Sequence, residues 1–159
     1  MELLTYKTDA CPEIVCLHDP AAFTASFGWF VKTGSRDEQP EVAGVSHFLE
    51  HMVFKGTHRR SAEDVNRELD HLGAQSNAFT SEDSTVFYAS VLPECQHHAV
   101  DLLTDLMQPL LREEDFETER QVILEEIAMY DDQPPYGAFE RATELFFGQH
   151  PLSTRVLGT

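Results

Sequence analysis

Residues 46–56 read SHFLEHMVFKG, and the spacing within them sets both a helix and a chemistry. Val45, Phe48, Leu49, Met52 and Val53 recur at i, i+3, i+4, i+7 and i+8, the pattern of one helical face. His47, Glu50 and His51 fall on a neighbouring stripe. The pattern predicts a helix over residues 42–55, stopped at Gly56, with one face in a core and the other presenting ligands. On that helix His47 and His51 stand one turn apart, so both imidazoles reach one ion. Glu50 lies a turn from His47 and beside His51, where its carboxylate approaches a water on that ion without ligating it. The spacing H-x-x-E-H is the inverted zincin motif. Neutral imidazoles suit zinc, which lowers the pKa of bound water from 15.7 to about 7, within reach of a carboxylate base.

On either side of this stretch the pattern alternates between strand and helix periods. Residues 14–18 and 24–31 read as strands joined by a turn at Asp19-Pro20, and 33–40 as a polar loop containing Gly34. Ser61, with Asp64 three residues on, opens a helix that carries Val65, Leu69 and Leu72 on one face and stops at Gly73. Residues 75–81 and 84–92 read as a hairpin. Pro93 opens a helix bearing Ala99, Leu102, Leu103, Leu106 and Met107. Asp115 caps a long helix reaching about Tyr130, Pro134-Pro135 breaks it, and a last helix covers 136–147. Hairpins rather than crossovers join the strands, so the expected class is α+β, a mostly antiparallel sheet with helices packed on it.

The composition narrows the partners. The 159 residues are 42% hydrophobic and 25% charged, an ordinary globular mix. The 28 acidic against 11 basic residues give a net charge of −17. That argues against nucleic acid and anionic membrane as partners, and permits cationic ligands such as a metal ion or a basic peptide. A zinc ion would offset two of those charges. No apolar run approaches the roughly 18 residues of a membrane span, and the first residues do not read as a secretory signal. Cys11, Cys16 and Cys95 are a sparse, odd set that fits reduced thiols, and so a cytoplasmic setting, better than a disulfide framework.

A catalytic zinc usually takes three protein ligands and a water, so two histidines leave one ligand to find. The helix after Asp115 offers Glu117, Glu119, Glu125 and Glu126. Phe116, Ile123, Ile127 and Tyr130 mark its buried stripe. At helical periodicity Glu119 and Glu126 fall within ~40° of the stripe's centre and Glu125 about 140° away, toward water. Carboxylates on an apolar stripe are costly unless paired or metal-bound. Glu119 and Glu126 are two turns apart on one face, so one can ligate while the other supports.

The motif His47–Glu50–His51, followed 75 residues after His51 by Glu126 within ERQVILEE (119–126), resembles the pitrilysin/insulinase family of zinc peptidases. That family includes mitochondrial processing peptidase and its bacterial relatives. GSRDE (34–38), SHFLEHMVFKG (46–56), GAQSNAFT (73–80) and the closing stretch 150–159 resemble family segments in the same order. The resemblance implies Zn2+ held by His47, His51 and Glu126, Glu50 as general base and Glu119 as a supporting carboxylate. It also implies that Asn77, Ala78 and Phe79 hold an extended peptide substrate by β-addition.

Two departures stand out. Ala10-Cys11-Pro12 replaces the family's usual Asn-Gly turn near the N-terminus. The family's first domain is also longer than this chain, and a homologous second half closes over its site. Residues 1–159 are therefore expected to be the N-terminal, metal-bearing part of a peptidase domain. Alone, the chain is expected to be inactive, to need a homologous C-terminal half or partner subunit, and to form homodimers through exposed apolar surface. The alternative function is a non-catalytic binding or scaffold subunit of a peptidase-like complex.

Overall fold

The computed structural model describes residues 1–9 and 11–158. The turn in which Ala10 takes part lies outside the described residues. The elements, in chain order, are β1 (Glu2–Thr8), β2 (Cys11–His18), β3 (Ala25–Val31), α1 (Val45–Val53), α2 (Ala62–His71), β4 (Gln75–Thr80), β5 (Thr85–Val91), α3 (Gln96–Leu106), α4 (Glu113–Asp131) and α5 (Pro134–Phe147). The class is α+β with antiparallel sheets.

The main sheet has the order β3-β5-β4. β5, TVFYASV, is rich in β-branched and aromatic residues, as a strand paired on both edges requires. Phe87, Ala89 and Val91 on one of its faces meet Val65, Leu69 and Leu72 around α2, Leu102, Leu103 and Leu106 of α3, and Val53 of α1. Phe27 and Trp29 extend this core from β3, whose exposure alternates along the strand. The capping box of α2 forms as its sequence suggests: Asp64 N–H donates to Ser61 Oγ (3.1 Å) and Ser61 N–H to Asp64 Oδ2 (3.0 Å).

Several expectations need correction. Residues 14–18 and 24–31 are strands but not partners. A local turn does form at Asp19, with Ala22 N–H donating to its carbonyl (3.1 Å), but β2 pairs with β1 while β3 pairs with β5. Pairing with β5 lets Phe27 and Trp29 reach the core, a long-range gain invisible to local turn chemistry. β1 is a strand that the sequence pattern does not mark. α1 begins at Val45 rather than Val42, because Pro40–Val42 is a separate turn of 3-10 helix and Gly44 is left-handed (φ 92°). A Cβ on Gly44 would lie 2.8 Å from the Leu157 carbonyl oxygen, so the approach of the 157–158 segment also requires glycine there. α4 starts at Glu113 after Arg112, not at an Asp115 cap. α5 starts at Pro134 itself, since proline is tolerated in a first helical turn.

The apolar stripe of α1 enters the core only in part. Met52 and Val53 are buried, whereas Val45 and Leu49 stay exposed. With Phe48 they line an apolar groove of about 730 Å³, closed on its far side by Phe116, Ile123 and Leu124 of α4. This groove is lined by none of the histidine–glutamate motif residues.

Candidate metal centre

α1 and α4 pack side by side, and the centre is built where α1 meets α4 and the end of β4. The N-terminus of α1 is held by a residue outside the helix: Glu38 accepts from the Gly44 and Ser46 N–H groups, each at 2.7 Å. These are amides that an α-helix leaves without internal partners. At the other end, Leu110 N–H donates to the Gly56 carbonyl (2.9 Å) and Arg112 Nη2 to the Lys55 carbonyl (2.7 Å). The chain entering α4 is thus tied to the chain leaving α1.

These anchors bring three side chains together. His47 Nε2 and His51 Nε2 are 3.2 Å apart. Glu126 Oε2 lies 3.8 Å from the first and 3.6 Å from the second. A tetrahedral zinc with bonds of about 2.0–2.1 Å keeps its donors roughly 3.3 Å apart, so the triangle fits such an ion. Two imidazoles and one carboxylate are also the donor chemistry zinc favours.

The second contacts support the same reading. His51 Nδ1 lies 2.8 Å from Glu119 Oε1. A carboxylate only accepts, so Nδ1 carries the proton and Nε2 keeps its lone pair for the centre. His47 is 7% exposed, and its Nδ1 is buried without a hydrogen-bond partner among the described residues. Burial, and next the nearby His51, lower its pKa from 6.5 to about 4, so it is neutral and able to ligate at neutral pH.

Glu119 is 4% exposed. The Lys55 ammonium lies against its Oε2. Burial pushes this carboxyl's pKa up, but hydrogen bonds from Lys55 and His51 outweigh it and hold the pKa below the usual value. Glu50 behaves in the opposite way. Burial raises its pKa and nearby Glu126 adds to that, while the Thr80 hydroxyl, donating to Oε2 at 2.6 Å, and His51 offset them only in part. A carboxyl raised toward neutrality beside a metal-type donor set is suited to proton transfer.

Among the described residues, no strand pairs with the outer edge of β4. Along it Asn77 and Phe79 are exposed and Ala78 is half-buried against the core. The Ala78 N–H donates to Asn77 Oδ1 (2.9 Å). The strand ends at Thr80, the residue bound to Glu50, so the open edge leads to that carboxylate. Glu125 faces solvent, as its helical angle suggests, while Glu126 points to the histidines. The sequence pattern assigns no individual role to Lys55, Thr80 or Glu38. Lys55 carries a signal, four residues after His51 at helical spacing. Glu38 does not, because its contacts depend on how a loop folds back.

Residues 13–159 match the profile of the family described as insulinase, peptidase family M16. The chain belongs to this family. Among insulinase-family relatives, a Bacillus subtilis protein named an uncharacterized zinc protease is 40% identical over 147 residues, covering 92% of this chain and 36% of that one. One from Mycobacterium leprae with the same description is 44% identical over 147 residues, covering 92% of this chain and 33% of its own length. The chain therefore spans about a third of the length of these relatives. A solved protease from Helicobacter pylori superposes with a TM-score of 0.94 at 25% identity, over 99% of this chain and 39% of that one. A Pseudomonas fluorescens structure described as a peptidase M16 inactive domain gives a TM-score of 0.88 at 15% identity, again over 99% of this chain and 39% of that one, and shows the fold alone. No helix among the described residues is long and apolar enough to cross a membrane.

Proposed function

We propose that this chain is the metal-bearing part of a zinc endopeptidase, with His47, His51 and Glu126 as the Zn2+ ligands and Glu50 as the general base. The observation that carries the reading is the convergence of His47 Nε2, His51 Nε2 and Glu126 Oε2 beside a carboxylate of raised pKa. A zinc ion bound there supplies Lewis acidity toward a carbonyl oxygen and toward water. Glu50 takes a proton from the attacking water and passes it to the leaving amine nitrogen, while Thr80 holds the other end of its carboxylate in place. Glu119 keeps the His51 ring in the ligating tautomer. An extended peptide adds as a strand along the outer edge of β4, beside Asn77, Ala78 and Phe79, displacing the Asn77 side chain from the Ala78 N–H.

The reading extends to the assembly. Residues 1–159 act as the N-terminal part of a peptidase domain of the processing-peptidase kind, completed by a homologous C-terminal half or partner subunit. The free thiols Cys16 and Cys95 suit a reducing, cytoplasmic setting. The alternative, a non-catalytic scaffold subunit, is favoured less because such a role needs neither the converging donors nor the base beside them.

The test measures bound zinc in the purified chain and cleavage of an extended peptide with and without the second half of a family member. About one zinc per chain is expected, with cleavage on complementation only. Glu50→Gln should keep the metal and lower cleavage by roughly 10²–10⁴-fold. Zinc binding with no cleavage in either preparation would favour the scaffold subunit, and an unchanged Glu50→Gln rate would remove the base assignment.

A further inference from the structure

The centre has one contact that its ligand set does not use. Lys55 stands just beyond α1, about one turn past His51, and its ammonium lies against Glu119 Oε2. The other oxygen of that carboxylate, Oε1, takes the proton-bearing Nδ1 of His51 at 2.8 Å. Glu119 is buried, and beside the Lys55 ion pair Oε2 has no hydrogen-bond partner among the described residues. Its two oxygens are thus divided between one cation and one imidazole. Lys55 is itself fixed: Arg112 Nη2 donates to its carbonyl, and Lys55 N–H donates to the Met52 carbonyl at 3.0 Å. Its ammonium takes Oε2 while His51 takes Oε1, so the carboxylate cannot rotate without losing one partner.

We infer that Lys55 is a positioning residue for the metal centre, acting through Glu119 to fix the ring of His51. The inference rests on the metal reading above and adds a residue to it. Loss of the ammonium leaves a buried carboxylate oxygen unpaired, and the carboxylate is then free to turn from His51 toward water. Hydrogen-bonded partners of ligating histidines typically affect metal affinity by 10–100-fold. Lysine is suited to the task because a single compact donor on a long apolar stem reaches a carboxylate already occupied on its other side.

A double-mutant cycle on the chain tests this, with zinc affinity read by chelator competition and ligand geometry by the visible spectrum of the Co2+-loaded protein. Lys55→Met keeps the stem and is expected to weaken zinc by about 10-fold and to alter the cobalt spectrum. On a Glu119→Gln background the same change should cost less than about 2-fold, because the two act in series. Lys55→Arg restores a cation and is expected to recover most of the affinity. Equal losses in both backgrounds would overturn the inference, since Lys55 would then act without Glu119. Loss of helical circular dichroism in Lys55→Met would overturn it too, by assigning Lys55 to the fold. A wild-type chain that binds no zinc would instead overturn the metal reading itself, and this inference with it.

Discussion

The helices α1 to α3 with the main sheet, and the hairpin β1–β2 with α5, are built from similar apolar content but use it differently. In the first region Val65, Leu102 and Leu106 are entirely removed from water. In the second, Leu3, Tyr6, Ile14, Val15 and Leu17 of the hairpin and Phe139, Leu145 and Phe146 of α5 stand in it. Among the described residues the two strands of the hairpin pair only with each other, and a lone two-stranded sheet is marginal in water. The candidate centre draws on α1, α4 and the end of β4, the elements in or beside the first region. A site whose donors must hold positions to a few tenths of an ångström needs rotamers locked by packing, and that region supplies them. The second region has apolar surface of the kind that a further body covers, in keeping with a chain that spans about a third of its relatives.

The sharpest way to break this contrast is to truncate one side chain in each region. Leu102→Ala, at 0% exposure, is expected to cost 2–5 kcal/mol in urea unfolding, through lost burial and the cavity left behind. Phe146→Ala, at 82% exposure, should change stability by less than about 0.5 kcal/mol in the monomer. A comparable loss at Phe146 would mean that α5 is covered in solution, and sedimentation at the same concentration would then reveal a homodimer.

A second test lies inside the well-packed region and concerns pH. In the folded, metal-free chain His47 has a pKa of about 4, against 6.5 when exposed. Below pH 6.5 the unfolded chain binds a proton there that the folded chain refuses. Its contribution to stability is therefore lost as pH falls through this window, and the loss levels off below about 4. The full penalty is on the order of 3 kcal/mol. The urea midpoints of wild type and His47→Gln, measured from pH 7.5 to 4.5 in the presence of chelator, should diverge across this interval. Parallel curves would show that His47 is more hydrated than its burial implies.

The same contrast explains what could be read from the sequence. The helix of His47 and His51, the hairpin of β4 and β5, the capping box at Ser61 and the buried side of Glu119 and Glu126 all rest on periodicity or short-range chemistry. These are properties of a window of residues. The local sequence points β3 to the wrong partner because Asp19-Pro20 is a sound turn signal, and only the burial of Phe27 and Trp29 against α3 decides in favour of β5. The stripe of α1 reads as wholly core in the sequence because periodicity reports which residues share a face, not whether anything covers it. Val45 and Leu49 share that face and line an open groove. Lys55 and Thr80 became visible only once α4 and β4 were placed against α1.

A loss smaller than those at Leu102 and His47 is expected at Glu38, and it tests how far the order of the packed region depends on a residue at its margin. Gly44 precedes α1 and has no side chain to cap it, so the carboxylate of Glu38 takes the Gly44 and Ser46 amides instead. A negative charge there also opposes the positive end of the helix. Glu38→Ala removes both acceptors and the charge, and should cost about 1–2 kcal/mol, the range of a lost helix cap. Glu41→Ala removes the same charge nearby without those two bonds, so thermal unfolding of the pair separates the bonds from the field. His47 directly follows the capped Ser46. If the cap sets the pitch of the first turn, Glu38→Ala also weakens zinc several-fold while Glu41→Ala leaves it unchanged. Equal melting temperatures and equal zinc affinities for the two variants would mean that α1 is held by its packing on β4 and α4 alone.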